Sequence, residues 1–252
     1  MAMTRQVKPL RRPHVSRGLR FFRAALFILF FSASFAGASV CALAQQPDAR
    51  ALLRSIRMNQ SGQHRALNGR LRCADLVMPF HLVLDGSEIR YEFSDQTLVL
   101  RLGENGSQLF ETARGSTGAA AQKLSPARDD ASVRGTDISF EDLALKFLYW
   151  PKAAIEGDEL KLAQRCWKVR VEPQLRDESQ YSAVVLWVEK SGGAFLQAEG
   201  YDKNGQLSKR FKVVSGQRDP ETGGWMLKQM KIERVAGANT RDANPTYLEI
   251  EK

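Results

Sequence analysis

The side chains that could do chemistry in this sequence are few, and none stands at a spacing that a familiar reaction needs. Gly-x-Ser-x-Gly, His-Glu-x-x-His and Ser-x-x-Lys are all missing, which removes the nucleophile elbow, the zinc-binding helix and the serine–lysine pair. Beyond residue 44 the only histidines are His64 and His81, and neither lies at metal-ligand spacing from another histidine or a cysteine. His81 alternates with the apolar residues of Met78 to Leu84 and reads as a strand histidine, bonded locally or facing water. The pairs Asp129-Asp130 and Glu141-Asp142 fall in a polar loop and a first helical turn, where solvation and the helix dipole account for them. Gly103-x-x-Gly106 and Ser191-Gly192-Gly193 are hairpin punctuation, since no strand-to-helix step follows to make a phosphate cradle. The sequence therefore predicts no catalytic residues, no metal ligands and no cofactor.

The first 44 residues explain the basic composition. Seven Lys or Arg residues lie between Arg5 and Arg23 without an acid, Ala24 to Val40 is uncharged, and Ala42-Leu43-Ala44 precedes Gln45. That order is the plan of a cleaved secretory signal peptide, with a retained membrane helix and a lipid anchor on Cys41 as competing readings. Residues 45–252 are then expected to form a single domain delivered outside the cytoplasm. They carry 30 basic against 28 acidic residues, a balance that gives no reason to expect nucleic acid. Cys73 and Cys166 would enter a compartment where disulfides persist. Cys73 is in step with apolar Leu67 and Leu71, and Cys166 with Lys168 and Arg170, so a bond and two separate thiols both stay open.

Few elements alternate with helices. Asp48 is a plausible N-cap for a short helix carrying Ala49, Leu52, Leu53 and Ile56. From Leu67 the period changes to two, and Gly-containing turns separate about eleven or twelve strands. Asn204-Gly205 is the strongest turn signal, of the type in which both central residues take positive φ. Gly115 to Asp130 reads as a mobile loop. Ser139 and Asp142 then stand at capping-box spacing and open a second helix, with Phe140, Leu143, Ala144, Phe147 and Leu148 on its apolar face and Trp150-Pro151 at its end.

The strands carry more apolar surface than one closed core needs. Both alternating sets of Tyr181 to Lys190 are apolar, so this strand is covered on both sides. Its neighbours present large groups on one face: Phe80 and Leu82, Tyr91 and Phe93, Trp167 and Val169, Phe211, and Met226, Met230 and Ile232. A wide antiparallel sheet curled around the two helices would leave a hollow lined by these side chains, by Phe140, Leu143 and Phe147, and by Val185 and Trp187. An ordinary packed core is the alternative.

Several phrases together resemble the outer-membrane lipoprotein-sorting family, related to the periplasmic lipoprotein carrier LolA. They are Arg134-Gly135-Thr136-Asp137-Ile138-Ser139-Phe140-Glu141-Asp142-Leu143, Phe147-Leu148-Tyr149-Trp150, Tyr181 to Lys190, and Glu199-Gly200-Tyr201-Asp202-Lys203-Asn204-Gly205. The resemblance implies a mainly β fold, an incomplete antiparallel β-barrel of about eleven strands closed on one side by short helices. It also implies that the concave apolar face shelters the acyl chains of a lipoprotein or free lipid, handed from an inner-membrane transporter or exporter toward an outer-membrane acceptor. A cell-envelope sensor or adaptor built on the same half-barrel is the other functional expectation.

Overall fold

The structure is a computed structural model that describes residues 46–61, 63–113, 121–175, 179–218, 225–236, 240–241 and 244–251. The signal peptide expected over residues 1–44 lies outside them. The first element is the helix α1, Ala49–Ser61. Its N-cap is Asp48, whose carboxylate accepts a hydrogen bond from the Ala51 N–H at 2.9 Å.

Two antiparallel meanders follow. The first comprises β1 (His64–Cys73), β2 (Leu76–Asp85), β3 (Glu88–Glu92), β4 (Gln96–Leu102), β5 (Ser107–Ala113) and the two-residue β6 (Gln122–Lys123). The second comprises β7 (Lys152–Lys161), β8 (Gln164–Glu172), β9 (Ala183–Glu189), β10 (Phe195–Tyr201), β11 (Leu207–Arg218) and β12 (Trp225–Ala236). After a short β13 (Thr240–Arg241) that pairs β12, the last strand, β14 (Thr246–Ile250), inserts between β1 and β12 and joins the meanders into one sheet. The sheet order is β6-β5-β4-β3-β2-β1-β14-β12-β11-β10-β9-β8-β7, so β6 and β7 are its two ends and do not pair with each other. This is the mainly β, open half-barrel that the sequence led us to expect, with thirteen strands on the continuous path.

Two strand glycines exist to receive aromatic rings. A Cβ on Gly69 would stand 2.6 Å from the ring of its cross-strand partner Phe80, and one on Gly200 would stand 2.4 Å from the ring of Tyr181. Each ring sits over bare backbone, closer to the sheet than a Cβ would allow.

Three expectations need correction, and the cysteine pairing left open is resolved. Residues 121–130 are not an open loop: β6 extends the sheet edge, Leu124 is buried, and Arg128 pairs with Glu111. Residues 114–120 lie outside the described residues. The helix expected from Ser139 is only α2, Phe140–Leu143, followed by a 3-10 turn over Lys146–Tyr149. Leu145 between them has a left-handed backbone with φ 52°. One continuous helix would point Phe140 and Phe147 along a single stripe, whereas the break lets them pack into two separate clusters. The hairpin at Asp202 has positive φ only at Gly205 (76°), with the Asp202 carboxylate accepting from the Asn204 and Gln206 N–H groups. It is a turn closed by a glycine bulge rather than the two-residue type expected. Cys73 and Cys166 are both free, and Cys166 is fully buried on the outer face with Val185 and Trp187.

Candidate functional site

The inner face of the sheet holds two apolar clusters under one cover, the segment from Ala131 to Trp150. On the first, Phe80 packs tilted against Tyr91 and Phe93 with ring centroids 5.9 and 5.7 Å away. Val133, Ile138 and Leu143 descend onto them from the cover. What stays open there is a cavity of about 20 Å³, completed by Leu71 and Leu248. That is room for one water, against the roughly 300–1,000 Å³ of an occupied ligand pocket. The second cluster is covered by Phe147, Leu148 and by α1 through Ala49, Leu53 and Ile56. Helix α1 is tied to the cover by Arg50, whose Nε donates to the Pro151 carbonyl at 3.0 Å, and by Arg57, which donates to the Leu148 carbonyl and stacks on Tyr149.

Of the residues expected to line a hollow, Phe80, Phe93, Phe140 and Ile232 are buried in the first cluster, and Leu82, Tyr91, Leu143, Met226 and Met230 pack against it half-buried. Phe211 touches both clusters. Phe147 and Val169 belong to the second, with Trp167 at its margin beneath the Lys190 ammonium, 3.4 Å from the ring centroid. Val185 and Trp187 are on the wrong face. They pack outside with Cys166, where the Trp187 indole N–H donates to Glu159 at 2.9 Å, while Val184, Leu186 and Val188 point inward. With both alternating sets apolar, the hydrophobic pattern of β9 alone could not choose between its faces.

Sequence reasoning found the Ser139–Asp142 capping box but missed the buried polar knot that it forms with Glu141, Gln180, Tyr181 and Lys209. The capping box of α2 is complete: the Ser139 N–H donates to Asp142 Oδ2 at 2.8 Å, and the Asp142 N–H to Ser139 Oγ at 3.2 Å. Asp142 is not solvated. Its Oδ1 accepts from the Tyr181 hydroxyl at 2.7 Å and its Oδ2 from the Lys209 ammonium at 2.6 Å. Glu141, also buried, accepts from the backbone and side-chain N–H groups of Gln180, both at 3.1 Å. Burial pushes the Glu141 carboxyl above the ordinary range, opposed by hydrogen bonds from Ser179 and Gln180. Burial, reinforced by Asp142, likewise raises the Tyr181 phenol well above its ordinary value. Nearby, Asp137 accepts from the Thr246 N–H and hydroxyl at 3.1 and 3.0 Å and pairs with Arg234 at 3.2 Å. The polar positions of the 134–143 phrase thus stitch the cover to β11, β12, β14 and the segment that leads into β9. The knot attaches the cover to the sheet. One signal for it was available, because Lys209 is in step with Leu207, Phe211 and Val213 along β11, and an inward lysine demands a buried acid.

A larger concavity of about 370 Å³ opens between Lys152, Arg170, Glu172, Ser182 and the Asn204 turn. It is polar, and Arg170 is engaged by Glu172 at 2.9 Å, so it offers nothing to an apolar ligand.

Comparison with known proteins agrees with this geometry. A DUF1329 family protein from Desulfovibrio piger superposes with a TM-score of 0.61 at 20% identity, covering 82% of this chain and 92% of its own. A protein described as an outer membrane lipoprotein-sorting domain, from Vibrio parahaemolyticus, gives 0.60 at 14% identity over 81% of this chain and 92% of its own. A LolA superfamily protein from Nitrosomonas europaea gives 0.58 at 14% identity over 82% and 93%. No curated protein matches the sequence. A family model described as that of an uncharacterized protein matches residues 119–251, more than half of the chain. The chain belongs to that family, and its fold is that of the LolA-like, outer-membrane lipoprotein-sorting proteins.

Proposed function

We propose that this protein is a periplasmic carrier, exported by a signal peptide over residues 1–44, whose domain from residue 45 shelters the acyl chains of a lipoprotein or lipid. It would take them from an inner-membrane transporter and pass them toward an outer-membrane acceptor by binding alone. The observation that carries this reading is the relation between sheet and cover. The inner face carries two apolar clusters that flank the buried Lys209–Asp142 pair, yet the segment over it is a short, broken structure held to the sheet by side chains rather than by strand pairing.

Each buried CH₂ of an acyl chain contributes about 0.8 kcal/mol, so a chain of ordinary length supplies roughly 10 kcal/mol toward displacing such a cover. The aromatic groups of the inner face pack closely beneath this cover, around a cavity of only about 20 Å³. Met226 and Met230, both half-buried, suit a lining that must repack around different chains. Native mass spectrometry of protein purified from its own periplasm tests the reading. A co-purified acylated species supports it; a stoichiometric protein partner with no lipid would favour an envelope sensor instead.

A further inference from the structure

The cover places one cation at the edge of the apolar cavity, and that cation is under-used. Arg134 follows Val133, which lines the cavity, and precedes Gly135; both Arg134 and Gly135 have left-handed backbones, with φ 54° and 77°. This unusual conformation for an arginine lays its guanidinium across the ring of Phe93, another lining residue, 4.9 Å from the centroid. Nη1 pairs with Asp95 at 2.8 Å, but Nε is buried and has no hydrogen-bond partner. Asp95 itself is mostly in water, with 64% of its side chain exposed, and the Arg134 guanidinium holds its carboxyl below the ordinary range.

A guanidinium offers five donors in a fork that matches a carboxylate or phosphate, and a buried N–H without an acceptor is unfavourable. We infer that Arg134 forms an anionic head-group site at the cavity rim, binding the carboxylate or phosphate of an acyl ligand whose chain passes Phe93 toward Phe80 and Tyr91. This rests on the acyl-carrier reading and adds to it a ligand class: acyl chains bearing an anionic oxygen head, in preference to neutral esters. Asp95 then acts as a place-holder that occupies part of the fork when no ligand is present.

The test uses the full periplasmic form and the fluorescent cis-parinaric acid, compared with its neutral methyl ester. The parent should bind the acid about tenfold more tightly, the equivalent of about 1.4 kcal/mol. Arg134→Gln should bring the two to within about twofold by weakening only the acid, and Asp95→Asn should strengthen the acid about threefold by removing the competing carboxylate. Displacement by oleate and by lysophosphatidate, with methyl oleate as the neutral control, distinguishes a carboxylate from a phosphate head; either anion outcompeting the ester supports the site. Equal binding of acid and ester by the parent, or an acid preference that survives in Arg134→Gln, overturns the site and leaves the carrier reading standing. If Arg134→Gln does not fold, Asp95→Asn decides, and unchanged acid affinity overturns the site. A parent that binds neither probe takes the carrier reading down with it.

Discussion

Lys209 Nζ stands 2.6 Å from Asp142 Oδ2, and the two side chains, 6% and 1% exposed, form an ion pair inside the half-barrel. The pair joins β11 of the sheet to the first turn of α2 in the cover, and the Tyr181 hydroxyl completes the carboxylate's shell at 2.7 Å. An ion pair in this setting adds little net stability over well-packed apolar groups, but it leaves an expensive orphan when one partner is removed.

Replacing Lys209 with Met should therefore destabilise the fold by about 3–5 kcal/mol, because Asp142 is left buried and unpaired. Adding Asp142→Leu should recover only part of that loss, because the buried Tyr181 hydroxyl and Ser139 N–H then lose their acceptor. Urea unfolding of the single and double variants measures both, and a single variant within about 1 kcal/mol of the parent would mean that the pair is not buried as described.

Gly200→Ala should cost about 1–3 kcal/mol, since the new methyl would meet the Tyr181 ring, 2.4 Å from the added carbon, and push its hydroxyl off Asp142. Gly106→Ala, with open space around it, is the control and should change thermal stability little. Equal melting temperatures for the two variants would contradict the packing of Tyr181 on bare backbone.

Burial of Glu141 makes stability depend on pH. Burial favours its protonated form in the folded state, so above about pH 4.5 the folded protein holds a proton that the unfolded chain has released. This contribution to stability is full below that pH and declines as pH climbs toward the raised folded value. Glu141→Gln keeps an acceptor for Gln180 and cannot ionise, so its stability should fall less over the same window. Thermal melts between about pH 4 and 7 decide it, and parallel pH profiles for parent and variant would show that Glu141 is not desolvated.

Most of the sheet was legible in the sequence because alternation and turn residues are local signals. Gly86, Gly193 and Gly205 do sit at positive φ in turns between paired strands. The two-residue strands β6 and β13 escaped because they are too short to alternate. The 139–150 helix was misread because its apolar spacing is helical throughout, and only tertiary packing on two clusters explains the left-handed Leu145. The buried state of Glu141 and Asp142 was hidden for a related reason: first-turn acids usually face water, and their partners Gln180 and Lys209 lie far along the chain. Hydrophobic pattern identifies an apolar face, but it does not say whether that face is open. Here the expected hollow is largely filled by its own lining and cover.

If acyl chains lie on the inner face, β12 is where a charge should tell the two sides of the sheet apart. Met230 packs half-buried against the first cluster, whereas its neighbour Lys231 points outward and pairs with Glu233. A fluorescent fatty-acyl probe is titrated into the parent, Met230→Glu and Lys231→Glu, each first shown to be folded by circular dichroism and thermal melting. The parent should bind, Met230→Glu should lose about tenfold or more in affinity because a charge stands where the chain must lie, and Lys231→Glu should stay within about twofold. A folded Met230→Glu that binds like the parent, or a parent that binds no acyl probe, would contradict acyl binding on the inner face.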